Sequence, residues 1–114
     1  MVVQDETCGV NIAFSVVGSK WKPTIVWVLS QGARRFAELR REVGPVSEKV
    51  LASQLRELQR DGIVSRAERG GFPLHVEYSL TERGVALNEA LEPVAEWAHR
   101  HGEHLVTARS YSTV

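Results

Sequence analysis

Apolar residues at helical spacing divide the first part of the chain into two short segments. Residues 10–17 are mostly apolar and stop at Gly18, which predicts a short helix. A second helix is predicted over residues 20–31, with Pro23 in its first turn, where a missing N–H costs little. Its apolar positions are Ile25, Val26, Val28 and Leu29. These leave almost no polar face, so we expect this helix to be buried at the centre of the fold.

Two further helices are predicted on either side of a glycine–proline break at residues 44–45. The first covers residues 34–43 and has apolar residues at helical spacing. The second begins after Ser47, a typical N-cap, and runs to Arg60 before Asp61-Gly62 ends it. Its predicted buried stripe consists of Val50, Leu51, Leu55 and Leu58. Two helices joined in this way form a helix–turn–helix unit.

The hydrophobic period then changes from the helical value to alternation. Residues 63–69 and 75–80 are predicted to be strands joined by a turn at 70–73, which together make a β-hairpin. Thr81 is expected to cap a last helix that runs to about Val106 and is kinked by Pro93 near Glu89.

This order of elements predicts one winged-helix domain over residues 1–114, mainly α with a small β-hairpin (α+β). Its predicted parts are N-terminal helices over 8–31, a helix–turn–helix over 34–61, a wing over 63–80, a C-terminal helix over 81–107 and a tail over 108–114. Because the last helix has a large apolar side, we expect it to pair with a partner helix and form a dimer with the N-terminal helices.

Composition is that of an ordinary globular chain, with 43% hydrophobic and 25% charged residues, which excludes a disordered or collagen-like protein. Lys plus Arg and Asp plus Glu both number 14, and a neutral total argues against nucleic-acid binding. However, residues 32–75 hold nine basic and six acidic residues, whereas residues 76–114 hold three and six. The predicted helix–turn–helix and wing are therefore basic, and this distribution favours DNA binding.

A helix that reads bases needs an apolar back and a front of short polar and basic side chains, because the major groove is about 12 Å wide. Residues 47–60 have both. The DNA-binding candidates are Arg34, Arg35, Arg40, Ser47, Lys49, Ser53, Gln54, Arg56, Arg66, Arg69 and His75. The alternative for these residues is an ordinary solvated surface, with ion pairs to neighbouring glutamates.

Several motifs occur together in one order along the chain. They are Cys8, Val17-Gly18-Ser19-Lys20-Trp21, Arg35-Phe36-Ala37-Glu38-Leu39-Arg40-Arg41, residues 47–51, Gln54-Leu55-Arg56-Glu57-Leu58, Asp61-Gly62-Ile63-Val64, Val76-Glu77-Tyr78-Ser79-Leu80-Thr81, Gly84 and Trp97. Over residues 8–98 the chain thereby resembles the HxlR-type winged-helix transcriptional regulators of bacteria, which are related in fold to MarR regulators.

This resemblance implies a homodimer, built from the first and last helices, that binds a palindromic double-stranded operator, with repression as the leading expectation. The alternative is a winged-helix module for protein–protein contact that does not bind DNA. Two places depart from the family pattern. Gly9 replaces the usual proline after the cysteine, and Pro73-Leu74-His75 stands where two prolines and an arginine are common.

Cys8, the only cysteine, cannot form an internal disulfide and has two interpretations. It is either a small packing residue or a sensor of oxidants or electrophiles, the role that the resemblance implies. A helix N-terminus favours the reactive thiolate, whereas nearby Asp5 and Glu6 oppose it. This lone cysteine, the lack of a membrane-length apolar run and the acidic start of the chain predict a cytoplasmic protein, on the nucleoid when bound to DNA.

A dimer seam or effector pocket is predicted between the N-terminal helices and the last helix. Its candidate residues are Phe14, Trp21, Trp27, Leu91, Trp97 and His101. A small aromatic effector is one occupant and simple packing is the alternative. His99, His101 and His104 do not form a convincing ligand set, so no metal and no cofactor is predicted. The sequence shows no catalytic triad, phosphate loop or paired carboxylates, so we do not expect an enzyme.

Overall fold

The computed structural model describes residues 8–103 and residue 105. This part of the chain contains five helices and one two-stranded antiparallel sheet, as the α+β prediction required. The elements are α1 (Gly9–Val17), α2 (Lys22–Ser30), α3 (Phe36–Val43), α4 (Glu48–Arg60), β1 (Val64–Glu68), β2 (Val76–Leu80) and α5 (Glu82–His101). The predicted continuation of the last helix to Val106 and the tail lie outside the described residues.

Helix α2 forms the centre of the core, as its apolar sequence predicts. Ile25 and Val26 are inaccessible to solvent, and they pack with Leu39 of α3 and Leu51 of α4. The buried positions of α4 are Leu51, Leu55 and Leu58. The inclusion of Val50 in this stripe was wrong, since its side chain is 40% exposed. Successive residues of a helix point about 100° apart, so Val50 and Leu51 do not share a face.

Helix α3 begins at Phe36, two residues later than the sequence pattern predicts. Arg34 instead has extended backbone that pairs with Tyr78 of β2. The Arg34 N–H donates to the Tyr78 carbonyl over 2.9 Å, and the Tyr78 N–H donates to the Arg34 carbonyl over 2.8 Å. This bridge places a short extended segment at Arg34 beside β2. It attaches the hairpin to the start of the helix–turn–helix.

The β-hairpin pairs Val64 with Leu80 at its base and Glu68 with Val76 at its far end. One more backbone hydrogen bond, from the Arg69 N–H to the His75 carbonyl over 2.6 Å, closes the loop. Gly70 and Gly71 have φ values of +77° and +82°, which glycine adopts at little cost. The predicted glycine turn is thus confirmed.

Helix α5 is joined closely to the end of the helix–turn–helix. The Thr81 hydroxyl accepts from the Gly84 N–H over 3.0 Å, which confirms the predicted cap, and donates to the Gly62 carbonyl over 2.5 Å. A Cβ on Gly84 would lie 2.3 Å from the Ile63 carbonyl oxygen, so only glycine allows this approach. From this anchored start the helix continues through Pro93 to His101.

Candidate nucleic-acid interface

Helix α4 carries a row of polar and basic side chains on the face opposite its buried leucines. Ser47 caps the helix as predicted, and its hydroxyl accepts from the Val50 N–H over 3.1 Å. Lys49 and Arg56 are exposed, and Ser53 is half-buried between them. Neither Lys49 nor Arg56 forms a hydrogen bond or ion pair with another described residue. Their charges are therefore free to interact with an external partner.

Two side-chain contacts attach α4 to the segment between α1 and α2. The Ser19 hydroxyl donates to the Gln54 side-chain carbonyl over 2.7 Å. Lys22 is only 5% exposed, and its ammonium donates to the Glu57 carboxylate over 2.5 Å, which lowers the pKa of Glu57. These contacts fix the rotation of α4 about its own axis. They also engage the Gln54 amide oxygen within the fold, although the sequence placed Gln54 among the groove-facing candidates.

The three arginines predicted at α3 have different surroundings. Arg34 bonds Glu42 over 2.7 Å and 3.2 Å and also donates to the carbonyls of Gly32 and Ala33. The hydrogen bond with Glu42 raises the pKa of Arg34 and lowers that of Glu42. The guanidinium of Arg34 is thereby committed to internal contacts, which argues against its predicted contact with phosphate.

Arg40 and Arg35 have distinct positions in the helix–turn–helix. Arg40 donates to the Val46 carbonyl over 2.8 Å and pairs with Glu48 at 3.3 Å, so it supports the turn between α3 and α4. Arg35 is exposed at the N-cap of α3, and its backbone N–H donates to Glu38 over 2.8 Å. Among these three arginines, Arg35 therefore has the most suitable position for a phosphate contact.

The structure adds two exposed cations that the sequence candidates omit. Arg60 extends the row on α4 by one more helical turn, and Arg41 lies at the end of α3. Arg41 also lines a groove beside the turn, together with Arg40, Ser47 and Glu48. Arg60 lies four residues after Arg56 and therefore on the same side of the helix, so the sequence alone could have identified it.

The three wing candidates, Arg66, Arg69 and His75, all have acidic partners within the hairpin. Arg66 lies 3.2 Å from Glu68, and its pKa is raised by hydrogen bonds with Tyr78 and Glu68. Glu77 accepts from two side chains, Arg69 at 3.4 Å and His75 at 2.9 Å. The two wing arginines are thus neutralised locally, in contrast to Lys49 and Arg56 of α4.

A groove of about 660 Å³ lies between α1, α2 and α5, where the sequence predicts a dimer seam or effector pocket. Three of the six candidate residues line it: Phe14, Trp27 and Leu91. The structure places the other three elsewhere. Trp21 packs against the core with the Lys20 ammonium 4.9 Å from its ring centroid, and the rings of Trp97 and His101 lie 5.7 Å apart on α5.

Cys8 is half-buried at the N-cap of α1, where its carbonyl accepts from the Ile12 N–H over 3.0 Å. His104, one of the three clustered histidines, lies outside the described residues. Within the described part, no three side chains of the metal-ligating types converge. None of the helices in that part combines the length and the hydrophobicity that a membrane span requires.

Comparison with known proteins identifies the family. The model of the HxlR-like helix-turn-helix family matches residues 16–106. The HTH-type transcriptional regulator BH0655 of Halalkalibacterium halodurans is 42% identical over 96 residues, which is 83% of each chain.

Two similar solved structures are regulators in their reduced forms. The redox regulator HypR in its reduced form is 36% identical, has a TM-score of 0.80, and the match covers 88% of this chain and 99% of that one. The reduced form of the transcriptional regulator YodB from B. subtilis is also 36% identical, with a TM-score of 0.76 and coverages of 84% and 95%. The relatives belong to a non-enzymatic class. The chain therefore belongs to the HxlR-like helix-turn-helix family and is a transcriptional regulator with a winged-helix fold.

Proposed function

We propose that this regulator binds a specific double-stranded DNA operator as a homodimer and represses transcription from it. The observation that carries the proposal is the row on α4. Lys49 and Arg56 are exposed with charges unpaired by any described residue and half-buried Ser53 lies between them, while the leucines on the other face and the Gln54 and Glu57 contacts hold the helix in place. A rigid helix with such a front is suited to reading base edges in the major groove.

Phosphate contacts would set the register of the complex, since such contacts orient a protein on the duplex without reading sequence. Arg35 stands at the N-terminus of α3, where backbone N–H groups also favour an anion. Lys49 at the start of α4 has the same advantage. The DNA-facing side of one subunit thus extends from the beginning of α3 along α4.

The proposed homodimer is supported by apolar side chains that are exposed to solvent in a single copy. Val10 and Phe14 of α1 are each 62% exposed, Trp27 of α2 is 59% exposed, and Val94 and Trp97 of α5 are each 55% exposed. An apolar surface built from the first and last helices is typical of a subunit interface. A two-fold dimer would place two α4 helices in successive major grooves about 34 Å apart and so select a palindrome.

The proposal is tested by the salt dependence of duplex binding. Each phosphate contact releases counterions, so the affinity for a selected operator should fall steeply as salt rises. Fluorescence anisotropy with labelled duplexes at several salt concentrations would measure the slope, with a scrambled duplex as control. Failure to bind any duplex at low salt would instead support the protein-interaction module.

We also propose that oxidation of Cys8 controls this DNA binding. HypR has been solved in reduced and oxidised forms, and YodB has been solved after diamide treatment. The present chain has one cysteine, so a disulfide would join Cys8 residues of two copies. Two thiols would lose two protons and two electrons to diamide, which becomes the hydrazine, while the S–S bond forms.

Diamide is accordingly expected to produce a covalent dimer on non-reducing gels and to change operator affinity, both reversibly with dithiothreitol. Cys8→Ser should abolish both effects while leaving the affinity of the reduced protein unchanged. Identical DNA affinity before and after oxidation would show that Cys8 does not control DNA binding. A small aromatic effector in the groove near Phe14 and Trp27 is the second candidate for control, and its effect would persist in the serine variant.

A further inference from the structure

The tip of the wing presents an apolar group that neither the core nor the charged row accounts for. Phe72 is fully exposed, and Leu74 is about half exposed two residues later. Gly70 and Gly71 precede them with positive φ values, and Pro73 stands between them. A fully exposed phenylalanine at the end of a projecting hairpin is positioned to contact something outside the chain.

The electrostatics of the wing indicate how this contact would be made. Residues 64–80 contain two arginines and two glutamates, and the ion pairs Arg66–Glu68 and Arg69–Glu77 match them one to one. His75 also bonds Glu77. A locally neutral hairpin gains little from phosphate attraction, so its strongest available interaction is apolar or aromatic.

The hairpin holds this tip in a defined place relative to α4. Strand β1 starts at Val64, only four residues after α4 ends at Arg60. The backbone bridge between Arg34 and Tyr78 fastens β2 to the start of the helix–turn–helix. This attachment keeps the hairpin beside the helix–turn–helix, and in B-DNA the groove next to a major groove is a minor groove.

We propose that the wing tip enters this minor groove and that Phe72 wedges its ring against a base step, with Leu74 packing on the sugar edges. This inference rests on the proposed DNA binding. Phenylalanine, leucine and proline are side chains that partially unstack base pairs from the minor groove. Flexible pyrimidine–purine steps yield most easily, so the wedge would select such a step in the flank of each half-site.

The test compares wild type with Phe72→Ala and Phe72→Leu on the selected operator. The alanine variant should lose roughly tenfold or more in affinity, and leucine should restore most of it. The salt slope should stay unchanged, because an uncharged wedge releases no counterions. An operator with 2-aminopurine at the flanking step should brighten on binding wild type but not Phe72→Ala.

Different results would overturn the proposal for different reasons. Equal affinity of wild type and Phe72→Ala, with no increase in 2-aminopurine fluorescence, would show that Phe72 does not wedge into DNA, although the protein binds it. Absence of duplex binding by wild type would instead contradict the proposed DNA-binding function itself. A change in the oligomeric state of free Phe72→Ala, measured by sedimentation velocity, would show that the tip docks on a second copy and not on DNA. Thermal unfolding should be unaltered, since Phe72 makes no core contact.

Discussion

Replacing Lys49 and Arg56 together with alanine is expected to weaken operator binding by about 100-fold or more. Both side chains are exposed on the outward face of α4 and form no hydrogen bond or ion pair with another described residue. Each contact to a base is worth about 1–3 kcal/mol, and each phosphate contact adds to the salt dependence. In a dimer the double substitution removes four cations, so the salt slope should decrease by about three to four if all contact phosphate.

The fold should tolerate this double substitution. Alanine is the best helix former, and neither side chain is part of the core. Anisotropy titrations at several salt concentrations would give affinity and slope, and circular dichroism would verify the helix content. Arg100→Ala, which removes an exposed cation from the far end of α5, is the matched control and should leave both quantities unchanged. An unaltered affinity and slope in the double variant would show that α4 does not contact DNA.

Local sequence signals predicted the elements and caps well because they depend on nearby residues. Ser47 and Thr81 cap the helices that follow them through bonds to N–H groups three residues on, a spacing visible in the sequence. The glycine turn of the hairpin is likewise local. The exposure of Val50 could also have been predicted from helical spacing. Leu51, Leu55 and Leu58 share one face, and the residue before Leu51 lies on another.

Contacts between distant residues account for what the sequence did not predict. Arg34 appears helical by spacing, but its backbone pairs with Tyr78, which is 44 positions away. The sequence pattern places Gln54 on the groove-facing side of its helix, but in the fold its side-chain amide oxygen accepts a hydrogen bond from Ser19. Such partners are set by tertiary packing, and hydrophobic period carries no information about them.

The structure also refines the location of the basic surface predicted from the charge count. The excess of cations over residues 32–75 suggested a basic helix–turn–helix and a basic wing. In the fold, the wing arginines Arg66 and Arg69 have carboxylate partners, whereas Lys49 and Arg56 have none among the described residues. The charge available to DNA is therefore concentrated on α4, and the wing is left to contribute through its apolar tip.

Introducing glutamate at both Phe14 and Trp97 is expected to convert the dimer to monomers and to reduce affinity for the full palindrome by about 100-fold or more. Each side chain is more than half exposed in the single copy, so a charge there should leave the subunit folded. At a two-fold interface the same substitutions would bury four carboxylates in an apolar seam, which is strongly unfavourable. A monomer also loses the high effective concentration of the second reading helix, an advantage of 10²–10⁴ in comparable bivalent systems.

Sedimentation velocity would report the oligomeric state, and titrations with full-palindrome and half-site duplexes would separate assembly from recognition. The variant should bind a half-site as wild type does, because Lys49, Ser53 and Arg56 are untouched, and lose only the gain from the second half. Val85→Glu, an exposed apolar residue near the start of α5, tests whether any added charge has this effect and should remain dimeric. A Phe14/Trp97 variant that stays dimeric would place the subunit interface elsewhere. A variant that is monomeric yet binds the palindrome as tightly as wild type would show that recognition does not require the dimer.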